Sequence, residues 1–234
     1  MSIADKTVLI TGASRGIGQA LVEEALRRGA RRVFAAARRP AAHPDERVTP
    51  LILDVTDTAQ VQAAAERVGS LDILVNNAGL ALFEGLGDRA ALERHLAVNL
   101  FGTYAVTEAF LPALTRSRGA IVNNLSLNSL APLSALAAYS VSKAAAFSLT
   151  QSLRTSLAER GVRVHAVLTG PTDTDMVRDL DIPKASPQSV AQAIFDAVDR
   201  GEEDIFPDPL AQSLADGWCN GAVKAFERQL AALR

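Results

Sequence analysis

The chain has 234 residues, 48% of them hydrophobic and 21% charged, which suits a globular protein with a sizeable core and excludes a disordered or collagen-like chain. A net charge of −2 gives no general attraction to nucleic acid or anionic membrane, and the single cysteine, Cys219, excludes an intrachain disulfide. No apolar run approaches the ~20 residues that span a bilayer, and "MSIADK" carries no basic-then-apolar leader, so a cytoplasmic location is expected.

Thr7–Thr11 reads as the first strand and Gly16–Arg28 as a helix stopped by Gly29. Arg32–Ala37 is the second strand, followed by the polar stretch "RRPAAHPDER". Arg27, Arg28, Arg31, Arg32, Arg38 and Arg39 cluster here. Aromatic residues are scarce among them and acids balance the charge elsewhere, so the cluster reads as a solvated helix end with local contacts, not a nucleic-acid surface. A third strand lies near Val48–Asp54. A helix over Thr58–Val68 follows, with Asp57 as N-cap and Gln60 completing a capping box. "LDILVNN" is the fourth strand; helical sequence covers Arg89–Leu114, interrupted near Gly102. "GAIVNNLS" is the fifth strand, Ala138–Arg160 a long helix stopped by Gly161, and "VRVHAVL" the sixth strand. Thr172–Ser186 shows no clear periodicity. Ser186 and Pro187 read as N-cap and first residue of another helix, and "DIFP" as a seventh strand.

Strands alternating with helices imply parallel pairing through right-handed crossovers. The strands are apolar on both faces, as a sheet covered by helices on both sides requires. With no linker-like composition shift or repeat, residues 1–234 read as a single domain. Ligands of such a sheet sit at the carboxyl ends of its strands. His43, His95 and His165 lack metal-ligand spacing, so no metal site is expected.

"LITGASRGIGQAL" packs Gly12, Gly16 and Gly18 between the first strand and the first helix. Free N–H groups and the helix dipole at such a junction attract phosphate. In this reading Gly12 allows the turn, Gly16 lets the backbone approach a ligand, and Gly18 lets the helix pack on the sheet. The G-x-x-x-G-x-G spacing differs from the general dinucleotide fingerprint, and alone it also fits a tight structural turn. No acid ends the second strand, where one would bond the ribose 2′-OH of NAD. Arg38 and Arg39 stand there instead, suited to a 2′-phosphate, and Arg15 can add a second positive charge. Tyr139 and Lys143 are four residues apart in a helical segment and share one face.

Taken together, "TGASRGIG" (Thr11–Gly18), Asp54-Val55, "NNAG" (Asn76–Gly79), Asn99, Ser126 and "YSVSK" (Tyr139–Lys143) resemble, in order and spacing, the short-chain dehydrogenase/reductase family. The resemblance implies a Rossmann-type, doubly wound α/β fold of about seven parallel strands. It implies NAD(P)-dependent hydride transfer between nicotinamide and a carbonyl or alcohol carbon. With Arg38 as main determinant, the cofactor expected is NADP(H). The resemblance places cofactor contacts at Gly12, Ser14, Arg15, Gly16, Ile17, Gly18, Asp54, Val55, Asn77, Ala78, Gly79, Tyr139, Lys143, Thr172 and Thr174. It makes Tyr139 the general acid and has Ser126 hold the substrate oxygen. Lys143 lowers the tyrosine pKa and holds the nicotinamide ribose, and Asn99 supports a water-mediated proton relay.

The expected activity is carbonyl reduction. Alcohol oxidation or imine reduction by the same machinery, and a nucleotide sensor without turnover, are the alternatives. Two segments depart from the family pattern. "NNLSLNS" surrounds Ser126 with Leu125, Leu127 and Asn128, expected to narrow or re-line the pocket. Thr169-Gly170-Pro171 stands where Pro-Gly is usual, which puts the backbone path and the contacts of Thr172 and Thr174 in question. Leu80–Phe83, Leu127–Leu133 and Met176–Ile182 should form a mostly apolar pocket, suited to neutral ketones or aldehydes. Trp218 and Cys219 either close it or pack in the core. The Ala-rich helices near Asn99 and Tyr139 suit a homotetramer or dimer; no nucleic acid or membrane partner is expected.

Overall fold

The computed structural model describes residues 1–84, 87–178 and 180–231. Strand β1 (Thr7–Thr11) is buried along its length, as a central strand covered on both faces must be. It pairs in parallel with β2 (Arg32–Ala37) and with β4 (Ile73–Asn76). Strands β3 (Val48–Ile52), β5 (Ala120–Asn124), β6 (Arg163–Val167) and the short β7 (Asp204–Ile205) complete one parallel sheet in the order β3-β2-β1-β4-β5-β6-β7. Strand order reverses between β1 and β4, so the crevice for a ligand opens there, at the carboxyl ends. This is the doubly wound α/β architecture expected from the sequence.

Helices fill both faces. Helices α1 (Gly16–Arg27) and α6 (Pro187–Arg200) cover one face over a core that includes Ile10, Leu21, Val75, Ile194 and Phe195. Helices α2 (Thr58–Val68), α4 (Thr103–Ser117) and α5 (Ala137–Leu157) cover the other, with Leu9, Leu74, Phe110, Leu114 and Ile121 buried between. Arg28 joins α1 to α6 through Glu24, Asp196 and Asp199, so that part of the arginine cluster is structural. Asp57 caps α2 as expected. Gln60 does not close a reciprocal capping box: its Oε1 accepts from the Asp54 N–H and its Nε2 donates to Asp57.

The expected helix over Arg89–Leu114 is three pieces. Helix α3 (Arg89–Leu96) runs into a π-helical turn (Ala97–Gly102) and then α4. The interruption is real, but the backbone widens into a π turn instead of breaking. A Cβ at Gly102 would stand 2.6 Å from Val55 Cγ2, so a glycine is needed there. Past β7, helices α7 (Pro209–Cys219) and α8 (Ala222–Ala231) were not expected. Trp218 packs on Phe147 with ring centroids 5.6 Å apart and donates to Asp204 Oδ2 at 2.8 Å. It and Cys219 pack on a cluster of Leu125, Phe147, Leu168 and Phe206, so the core alternative holds for both. No described helix is long and apolar enough to cross a membrane, and no described group of histidine, cysteine or acid residues could hold a metal ion.

Candidate active site

The glycine loop turns sharply at Gly12, where φ is +66°, and again at Gly16, where φ is +55°. Those values favour glycine. A Cβ on Gly12 would stand 2.9 Å from the Ala78 Cα, so the loop and the end of β4 are in close contact. A Cβ on Gly18 would run into the Gly12 carbonyl. It would also stand 2.6 Å from Asn77 Nδ2, so Gly18, in the first turn of α1, lets the helix pack against the ends of β1 and β4, as expected of it. Thr11 Oγ1 accepts from the N–H groups of Asn77 and Ala78 at 3.0 Å, which fixes "NNAG" beside the loop.

The start of α1 is open. Its N-cap, Arg15, makes no side-chain cap. Asp57, Asp88, Ser186 and Asp208 do cap α2, α3, α6 and α7. Uncapped N–H groups at a glycine-lined helix start fit a pyrophosphate. Ser14 and Arg15 are exposed and Gly16 and Ile17 half-buried at this edge. Arg38 is exposed at the end of β2 and near Asp54. Hydrogen bonds from the Thr56 hydroxyl and N–H hold the Asp54 carboxyl below its ordinary range, and the Arg38 charge adds to them. Val55 is buried against the π turn.

Ser126, Tyr139, Lys143 and Asn99 come together at the carboxyl ends of β4 and β5. Ser126 follows β5 in extended conformation and its Oγ accepts the Asn128 N–H at 3.1 Å. Tyr139 lies at the start of α5, and burial raises its pKa while the neighbouring Ser126 hydroxyl pulls it back. Lys143, one turn on, places Nζ 5.8 Å from the Tyr139 ring centroid, and burial lowers its pKa to about 8. Asn99 sits in the π turn. Its Nδ2 donates to the Leu80 carbonyl and Ser142 Oγ at 2.9 Å, and its Oδ1 accepts the Leu80 N–H at 2.8 Å. A Cβ on Gly79 would lie 3.5 Å from Asn99 Oδ1 and 3.8 Å from Lys143 Nζ, so these groups surround one small space.

The departures have structural outcomes. Leu125 is 4% exposed and points into the core, so it does not re-line a pocket; Leu127 packs half-buried on the same cluster. Beyond β6, the Thr169 carbonyl accepts the Leu127 N–H at 3.0 Å and the Gly170 N–H donates to Asp208 at 2.7 Å, which settles the backbone path. Thr174 reaches the glycine loop, its Cγ2 3.0 Å from where a Cβ on Gly16 would stand. Thr172 is buried, and its hydroxyl bonds back to the Gly170 carbonyl at 3.3 Å. Phe83, Leu133, Met176 and Ile182 are exposed apolar side chains on the segments expected to wall the pocket. Of those segments, Asp179 lies outside the described residues.

His95, given no role by the sequence, stands edge-on to Tyr139 with centroids 6.3 Å apart. Its Nδ1–H donates to the Ala91 carbonyl at 2.7 Å and its Nε2 accepts the Leu82 N–H at 3.0 Å, supporting the Leu80–Phe83 wall. No spacing signal marked it; only its place four residues before Asn99, on the same helical face, could have.

Residues 6–184 match the profile of a family described as short chain dehydrogenase. An uncharacterised oxidoreductase of Staphylococcus saprophyticus is 35% identical over 217 residues, covering 85% of this chain and 93% of that protein. A sorbitol dehydrogenase of Cereibacter sphaeroides is 36% identical over 186 residues, covering 74% of this chain and 73% of its own. The crystal structure of a short chain dehydrogenase from Burkholderia cenocepacia in complex with NADP superposes with a TM-score of 0.90 at 36% identity, covering 98% of this chain and 99% of that one.

Proposed function

We propose that this chain, which belongs to the short-chain dehydrogenase family, is a single-domain, NADPH-dependent carbonyl reductase. The observation that carries the reading is the convergence of Ser126, Tyr139 and Lys143 at the carboxyl edge of the sheet that also carries the uncapped start of α1. NADPH, when bound, supplies the hydride that the carbonyl carbon receives. The glycine loop, with Ser14 and Ile17, would hold its pyrophosphate. Arg38 and Arg15 would hold its 2′-phosphate, and Asp54, Val55, Asn77, Ala78 and Gly79 its adenosine side. Thr174, against the glycine loop, and Thr172 would complete the nicotinamide side. The NADP in the Burkholderia relative supports this choice of nucleotide.

Ser126 and Tyr139 orient the substrate oxygen between their hydroxyls. Tyr139 gives its proton to that oxygen as negative charge develops on it. A buried phenol is a reluctant acid or base, and the Lys143 ammonium one turn away offsets this by favouring phenolate. Lys143 would also hold the nicotinamide ribose, and Asn99, in its π turn, would position water for the proton's return. The apolar wall of Phe83, Leu133, Met176 and Ile182 favours neutral ketones and aldehydes. Oxidation of an alcohol by the same residues is the second reading, supported by the sorbitol dehydrogenase relative. Phe101, Tyr104 and Val141 expose apolar surface on the π turn, α4 and α5, which supports a homotetramer or dimer through these helices; a cytoplasmic location is part of the same proposal.

Titration of the purified protein with NADPH and NADH, read by cofactor fluorescence and followed by a panel of ketones, aldehydes and imines, tests the proposal. Tight NADPH binding with ketone-dependent oxidation supports it. Preferred NADH binding would favour the oxidative reading, and binding without turnover of any substrate class would favour a sensor.

A further inference from the structure

The carboxyl edge of the sheet carries a line of side chains, two of which, Thr169 and Asn124, the functional reading leaves unused. Thr169 Oγ1 donates to Asn124 Oδ1 at 2.6 Å. Asn124 Nδ2 donates to Asn77 Oδ1 at 2.9 Å, and Asn77 Nδ2 donates to the carbonyls of Thr11 and Gly12 at 3.0 and 3.3 Å. This line crosses the ends of β6, β5, β4 and β1 in turn. Asn124 is its middle member, the last residue of β5, and both ends of its amide are engaged. Its backbone carbonyl accepts the Lys143 ammonium at 2.8 Å.

Lys143 is buried, and no carboxylate pairs with it among the described residues. The Asn124 carbonyl is therefore its one protein acceptor among the described hydrogen bonds. A buried cation depends strongly on such an acceptor. Thr169 stands where the family pattern has proline, and it supplies a donor that proline lacks.

We propose that Asn124, fixed by Thr169 on one side and Asn77 on the other, is a positioning residue that aims its carbonyl at Lys143 and so sets the ammonium beside Tyr139. The bridge couples the loop after β6 to the catalytic pair without touching substrate. The proposal rests on the reading of Tyr139 and Lys143 given above.

Tyr104 and Tyr139 are the chain's only tyrosines, and Tyr104 is half-exposed on α4. In a Tyr104→Phe background, phenolate absorbance reports Tyr139 alone. The test is a pH titration of that absorbance with oxidised NADP bound, in the parent, Thr169→Val, Thr169→Ser and Asn124→Leu. With the bridge cut, the ammonium is less well placed, and the Tyr139 pKa rises by about half a unit or more in Thr169→Val and Asn124→Leu. Thr169→Ser keeps the hydroxyl and titrates with the parent. Ketone reduction slows in the cut variants and not in the serine variant. Valine and leucine variants that both titrate with the parent overturn the proposal, even if they are less stable. If the parent does not bind the nucleotide, the functional reading fails, and the same titration on the free protein still judges the bridge.

Discussion

Arg15 Nη1 lies 2.9 Å from Asp175 Oδ2, so the loop after β6 is tied to the loop that opens α1. Arg178 pairs with the same carboxylate. In the proposed complex Arg15 faces the 2′-phosphate, and Asp175 competes with that phosphate for the guanidinium. Exposed pairs of this kind are worth up to about 1 kcal/mol. Asp175→Asn should therefore tighten NADPH about two- to fivefold and leave NADH nearly unchanged. Fluorescence titrations with each nucleotide check this, and equal effects on both would refute competition at Arg15.

Arg38 directly follows β2, where an acid would select NAD. A charge-assisted bond to phosphate is worth roughly 1.5–3 kcal/mol, so Arg38→Ala should weaken NADPH about 10- to 100-fold. NADH affinity should barely change, and Arg38→Asp should invert the preference. An Arg38→Ala protein that keeps its NADPH affinity would move the determinant to Arg15 or Arg39.

Lys143 holds a buried charge at a cost to stability. Its folded pKa of about 8 lies below the ordinary 10.5, so the unfolded chain binds the extra proton between these values. Stability attributable to this group rises as pH climbs through that window and is lowest below it. Lys143→Met should stabilise the fold near neutral pH by roughly 1–3 kcal/mol while abolishing turnover. Urea melts at pH 7 and pH 10 read both parts: the gain should shrink at the higher pH.

His165, buried on β6, gives the acid-side counterpart. Burial lowers its pKa from 6.5 to about 4, and its Nε2 has no partner among the described residues. The unfolded chain binds the proton first, so stability falls as pH drops from 6.5 towards 4, by at most about 3 kcal/mol. In His165→Gln this part of the acid sensitivity should vanish. Parallel stability curves for the two proteins across that range would show that His165 does not contribute.

Much of this was legible in the sequence. The alternation of apolar runs with longer amphipathic stretches marked each strand, and the glycine loop's place between β1 and α1 marked the ligand edge. Helical spacing put Tyr139 and Lys143 on one face, and the family resemblance marked them, with Ser126, as the site. Helices α7 and α8 were not read. Helix α8 turns Lys224 inward to Asp204 and Glu227 and leaves Val223, Phe226 and Leu230 exposed, the reverse of the usual pattern. Yet Asp208-Pro209, an N-cap and first helical residue, was a usable signal for α7. Asn124 and Asp175 went unnoticed for another reason: their roles depend on partners 45 and 160 residues away, which no local pattern encodes.

In the proposed reaction Tyr139 protonates the substrate oxygen as NADPH is oxidised. Single-turnover oxidation of bound NADPH by a reactive ketone, in the native protein and in Tyr139→Phe, tests it most directly. NADPH should bind similarly to both, and the phenylalanine variant should react about 10²- to 10⁴-fold more slowly. Equal rates in the two proteins would contradict it.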